Sequence, residues 1–136
     1  MSIFKEEQPQ IALFGASPVG RDLGPRVSSA LHSGLTADCT SLEIGPHTDN
    51  KSGKVYENLL YQIRPAFGGN IIATIVNPDN RPQMATVREG VMRKEYAAQP
   101  GAGEVKAIDW KKMVTDADLA VKIIDREIAE SKIDIK

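Results

Sequence analysis

Apolar positions along the 136-residue chain fall in short blocks punctuated by glycine and proline. Ile11–Phe14 is the first, an apolar run stopped by Gly15, and it predicts a buried parallel strand. Ser17-Pro18 supplies an N-cap and a first helical residue. Val27, Ala30 and Leu31 then recur at i, i+3 and i+4, marking a helix that Gly34 ends, with His32 in its last turn. Pro25 inside that pattern removes a backbone donor, so a kink or a separate first turn is expected there. Ahead of the strand, Ser2–Gln10 reads as the end of a helix running into a proline turn.

Downstream the pattern changes to strands. Thr36–Ile44 alternates loosely and predicts one strand, and Gly45–Gly53 has the composition of a loop. Val55–Phe67 and Asn70–Val76 flank Gly68-Gly69, a pair that marks a bulge, a tight bend or a close backbone approach. Asn77–Asn80 is a turn, Met84–Arg88 a short strand, Gln99–Gly103 a loop, and Val105–Trp110 a further strand. In the last segment Val121, Ile124 and Ile128 fit a helix, whereas Val121 and Ile123 among charges fit a strand, and periodicity leaves both open. A single β-α step followed mostly by strands is an odd complete domain, which suggests a piece of a larger one.

Composition narrows the class. The 41% apolar and 26% charged residues are those of a soluble globular protein, and the length fits one domain. A net charge of −1 supplies no field that would draw the chain to nucleic acid or anionic lipid. Aromatics at 5% argue against a stacking surface for single strands. No apolar run approaches the roughly 18–20 residues that span a bilayer, and the first ten residues lack a signal-peptide core. The lone Cys39 excludes an internal disulfide, fits a reducing compartment, and reads as a small buried residue whose pKa Asp38 would raise. His32 and His47 have no partner at metal-ligand spacing, so no metal is expected.

Gly15 to Asp22 has the glycine spacing of a phosphate-binding loop but the wrong chemistry. Arg21 stands where the lysine belongs, Asp22 where a hydroxyl should reach magnesium, and Pro18 deletes a donor. A nucleophile elbow needs its second glycine one place earlier. A strand-to-helix turn, capped by Ser17 and carrying local ion pairs from Arg21 and Asp22, accounts for the same residues.

Three longer stretches carry a family resemblance. LFGASPVGRDLGPRVSSAL (Leu13–Leu31), GLTADCTSLEI (Gly34–Ile44) and RPAFGGNIIATIVNPDNRPQMATVREGVM (Arg64–Met92) resemble, in order and spacing, the N-terminal domain of electron transfer flavoprotein alpha subunits of the FixB type. The resemblance implies a three-layer α/β/α domain, Rossmann-like and similar to adenine nucleotide alpha hydrolases, with a mostly parallel sheet, here partial and strand-rich in its second half. It favours a strand over Leu119–Ile128. It further implies one incomplete domain over residues 1–136, without the FAD-binding C-terminal domain. FAD then belongs to the parent protein and none is expected on this chain alone.

The implied partners are the beta subunit and flavin dehydrogenases, with neither nucleic acid nor membrane insertion. The implied role is a non-enzymatic carrier subunit passing electrons to a quinone oxidoreductase or another acceptor, in the cytoplasm or the mitochondrial matrix. A stand-alone interaction module of the same fold and a nucleotide-binding domain are the alternatives. No catalytic residue is expected. Arg21, Asp22, Arg64, Asn70, Arg81, Gln83 and Arg88 are the candidates for a subunit interface or a structural network, because guanidinium groups pair bidentately with carboxylates.

Overall fold

A computed structural model describes residues 2–66, 68–69, 71–96, 98, 101 and 103–127. These divide into two units, residues 1–98 and 99–136.

The first unit opens with a short helix α1 (Ser2–Glu7), closed by Gln8 in the left-handed region, and strand β1 (Ile11–Gly15) follows. Helix α2 spans Pro18–Leu31 without interruption. The expected separate turn before Pro25 is therefore absent, and Pro25 lies within one continuous helix. Nor does Gly34 end it: His32 takes the left-handed cap position at φ 52°, its N–H donating to the Ser28 and Ser29 carbonyls. A single left-handed residue satisfies orphan carbonyls at a helix end, and here a histidine does what glycine usually does.

Strand β2 (Leu35–Cys39) and strand β3 (Ser41–Thr48) replace the single strand expected over Thr36–Ile44. The chain changes sheets at Thr40. Asp38 is left-handed at φ 61° and shifts the β2 register, while Thr40 already donates its N–H to Ile63 in the other sheet. Strand β3 also runs on through Gly45–Thr48, where loop composition had suggested a connection, so the turn is confined to residues 49–54. Gly45 is in the strand for a packing reason: a Cβ there would stand 2.9 Å from the Tyr61 ring.

Strand β4 (Val55–Pro65) pairs antiparallel with β3 and with strand β5 (Ile72–Ile75). Asn58, at φ 56°, sits in a bulge where two β4 residues oppose Pro46, which has no N–H to offer the ladder. The Tyr61 hydroxyl donates to the Pro46 carbonyl across this irregularity. Leu59 and Leu60, just past the bulge, are both buried.

Strand β6 (Gln83–Val87) is the centre of the parallel sheet, whose order is β1-β6-β2. Its residues Gln83, Met84, Ala85 and Thr86 are each 1% exposed or less, as expected of a strand covered on both faces. Helix α2 covers one face and packs tightly on it at Gly24, whose Cβ would meet Leu35, Thr86 and Phe14 at 3.0–3.6 Å. Toward the second sheet, the buried Gln83 Oε1 accepts the Leu60 N–H at 2.8 Å. This single side chain joins the central strand of one sheet to the central strand of the other.

In the second unit the described residues form a 3-10 turn at Trp110–Lys112 and a turn in which Asp118 accepts from the N–H and hydroxyl of Thr115. The expected strand at Val105–Trp110 is not formed, and residues 119–127 are neither strand nor helix. Val105, Val121, Ile123 and Ile124 are each at least 80% exposed. Without a neighbour to bury it, an apolar alternation has no force that selects a strand. Ile128 lies outside the described residues.

Candidate functional site

Parallel strands end together, and in open α/β sheets the crevice at their carboxyl ends is where ligands bind. Here that edge is made by Gly15 of β1, Cys39 of β2 and Val87 of β6. The Ser17 N-cap has extended backbone, its Oγ accepts the Gly20 N–H at 3.2 Å, and Pro18 follows in the first turn. Arg21, one turn into α2, donates Nε–H to the Ala16 carbonyl at 2.8 Å and grips Asp38 with both terminal nitrogens at 2.9 Å. Arg88 reaches the same carboxylate at 3.5 Å, and the Asp38 N–H donates to Thr86 Oγ1 at 2.8 Å. One aspartate thus ties the ends of all three strands together.

Two guanidinium groups on one carboxylate leave the cluster a net cation. Asp38 has Arg21 beside both of its oxygens and Arg88 beside Oδ2, though Oδ1 is buried without a hydrogen-bond donor in line with it. The arginines are about half exposed, so the network contributes roughly 1 kcal/mol rather than the worth of a buried pair.

Cys39 is fully buried next to this cluster. Burial pushes its thiol up, the Arg64 charge pulls it down, and Asp38 pushes it up to a lesser degree. The neighbouring acid acts as its sequence position suggests, but desolvation is the larger cause. The folded state favours the protonated thiol, so this contribution to stability is whole below the free value of 9.0 and is lost as pH rises beyond it. Iodoacetamide at about pH 8 should therefore alkylate Cys39 in urea and leave it almost untouched in buffer. Equal rates in the two media would show that the thiol is open.

The other sequence candidates are dispersed. Asp22 pairs with Arg26, at 2.9 Å on the exposed face of α2. Arg81 stands at the opposite end of β6 from Arg88, at least about 16 Å away along the five strand residues between them. There its Nη1 donates to the Asn77, Pro78 and Asn80 carbonyls and its Nε to Gln10, closing the turn that delivers β6. Gln83 is interior and holds the two sheets together. Arg64 is at the end of β4, beside Pro65, Ala66, Ala73 and Ile75 around a concavity of about 530 Å³. Asn70 lies outside the described residues.

Asp38 and Thr86 are the residues that reading the sequence missed as a hub. An aspartate inside a strand-like run was the available signal, since Asp is depleted in strands unless the backbone departs from the pleat. Among the described residues, no group of three His, Cys, Asp or Glu side chains could hold a metal. No helix among them is long and apolar enough to cross a membrane.

Comparison with known proteins places this geometry. Residues 2–113 match the electron transfer flavoprotein domain family. The electron transfer flavoprotein subunit alpha of Megasphaera elsdenii is 48% identical over 122 residues, covering 90% of this chain and 33% of that relative. Protein FixB of Clostridium saccharobutylicum is 46% identical over 131 residues, 96% of this chain and 35% of its own length. The acryloyl-CoA reductase electron transfer subunit beta of Anaerotignum propionicum is 38% identical, with 90% and 37% covered. The chain spans about a third of the length of these curated relatives.

Proposed function

The chain belongs to the electron transfer flavoprotein family, and on that premise we propose that it is the supporting part of an alpha subunit, acting with a beta subunit in a FAD-carrying heterodimer. The observation that carries the reading is the family match over residues 2–113, which takes in both the α2 turn and the central strand. Electrons pass through the flavin, whose redox chemistry is its own. This chain's residues supply a rigid base rather than an acid, base or nucleophile, which makes it a carrier subunit and not an enzyme in its own right. Flavin dehydrogenases are the proposed donors and a quinone oxidoreductase the proposed acceptor, in the cytoplasm or the mitochondrial matrix.

The turn between Gly15 and Gly20 does not fit the diphosphate of a flavin. The glycine turn at the head of α2 is closed by its own backbone, with the Gly15 carbonyl 1.8 Å from where a Cβ of Gly20 would be and the Ala16 carbonyl held by Arg21. A diphosphate needs inward-facing N–H groups and open space at that position. In this reading the flavin is held by another part of the assembly. Arg21, Asp22, Arg64, Asn70, Arg81, Gln83 and Arg88 are proposed to serve it indirectly, as structural ties or subunit contacts.

A tagged copy of the chain expressed in its source cells should bring down an electron transfer flavoprotein beta subunit. Recovery of an unrelated protein, with no beta subunit and no flavin, would replace this reading with that of a free-standing interaction module.

A further inference from the structure

Among the described residues, strand β5 is an edge strand paired with β4 alone, through Gln62↔Ile75, Ile63↔Thr74, Arg64↔Ala73 and Pro65↔Ile72. Native edges are commonly blunted by lysine, proline or an inward charge, and Ile-Ala-Thr-Ile carries none of these. Ile71 and Ile72 just before and at its start are 61% and 74% exposed. Beside this edge is the concavity bounded by Arg64, Pro65, Ala66, Ala73 and Ile75, apolar except for one guanidinium.

Arg64 makes no ion pair among the described residues, and its one hydrogen bond is a long 3.4 Å contact to the neighbouring Pro65 carbonyl. Two residues back on the same strand face is Gln62, opposite Ile75 in the ladder and 1% exposed, whose Nε2 has no partner. A buried amide donor left unmatched costs about 1–3 kcal/mol, but this one is closed off behind β5 and is no part of the groove. A guanidinium without an ion pair among the described residues, aliphatic walls and an open strand edge are together the complement of an acidic extended segment.

We propose that this groove seats an extended segment of another polypeptide bearing an aspartate or glutamate, which adds to the free edge of β5 and places its carboxylate on Arg64. Pairing of β5 with the β5 of a second copy does not meet the requirement. The β5 sequence has no acid, and the nearest following one, Asp79, already accepts from the Tyr56 hydroxyl at 3.0 Å. The inference does not rest on the flavoprotein role, and its test needs neither flavin nor beta subunit.

The probe is a pair of capped pentapeptides, Val-Thr-Asp-Val-Thr and the same sequence with asparagine at the centre, titrated into the isotope-labelled full chain and followed by NMR. The aspartate peptide should shift the Arg64 Nε–H and the Ile72–Ile75 amides saturably. The asparagine peptide, and the Arg64→Gln chain with the aspartate peptide, should each bind at least about tenfold more weakly, with Arg64→Lys in between. Equal binding of the two peptides, or no shift at β5, overturns the proposal. So does acetate if it reproduces the Arg64 shift with the same affinity as the peptide, because the groove would then be a carboxylate site and not a strand seat. Concentration-dependent self-association through β5 that Arg64→Gln leaves intact overturns it in favour of a dimer edge.

Discussion

Gly20→Ala is expected to destabilise the first unit by about 3 kcal/mol or more, at the upper end of the range for overpacked sites. The added methyl would lie 1.8 Å from the Gly15 carbonyl oxygen and 3.0 Å from its carbon, both backbone atoms with no rotamer to yield. Relief requires α2 to lift away from β1, but the helix is pinned one turn later, where Gly24 packs onto Leu35 and Thr86. Lifting would also break the Arg21 bonds to Ala16 and Asp38. Urea unfolding should show a lower midpoint at unchanged slope. Gly15→Ala is the matched control: nothing lies within 4 Å of its Cβ position, and the change should stay within about 0.5 kcal/mol. If both variants unfold alike, close helix–strand approach is not what the second glycine is for.

Gln83→Ala should cost about 3 kcal/mol, from the cavity it opens and the donor it strands. Gln83→Leu separates the two contributions. It nearly fills the space but leaves the Leu60 N–H buried without an acceptor, and should cost about 1–3 kcal/mol. Hydrogen exchange is the sharper measurement, because the Leu60 amide should lose protection in both variants. A Gln83→Leu chain as stable as the parent, with Leu60 still protected, would show that the sheets are held together by packing alone.

Where local chemistry decided the structure, the sequence was legible. Ser17-Pro18 starts α2, the short apolar run makes β1, and Asp22 forms a local ion pair with Arg26, whereas Arg21, also expected to pair locally, reaches across to Asp38 on β2. Periodicity failed where a distant partner decided. Gly45–Thr48 looks like a loop until Tyr61 and the rest of β4 lie across it. Asp38 breaks one apparent strand into two because Arg21, Arg88 and Thr86 hold it in a left-handed conformation that short-range preference does not select. At the other extreme, Val105–Trp110 reads as a strand but finds no sheet among the described residues. The candidate site followed the same division. Its arginines stood out by residue type, whereas the aspartate that gathers two of them is a product of topology.

The middle strand of the parallel sheet is the last of its three to be synthesised. As the chain leaves the ribosome, β1, α2 and β2 emerge with no shared partner, while the antiparallel hairpin of β3 and β4 can close on local contacts. Residues 83–87 then insert between two strands already made, and the Gln83 side chain bonds to a hairpin formed before it. Domain closure therefore waits on one short segment, and a nascent chain that stalls before Val87 exposes both parallel edges at once.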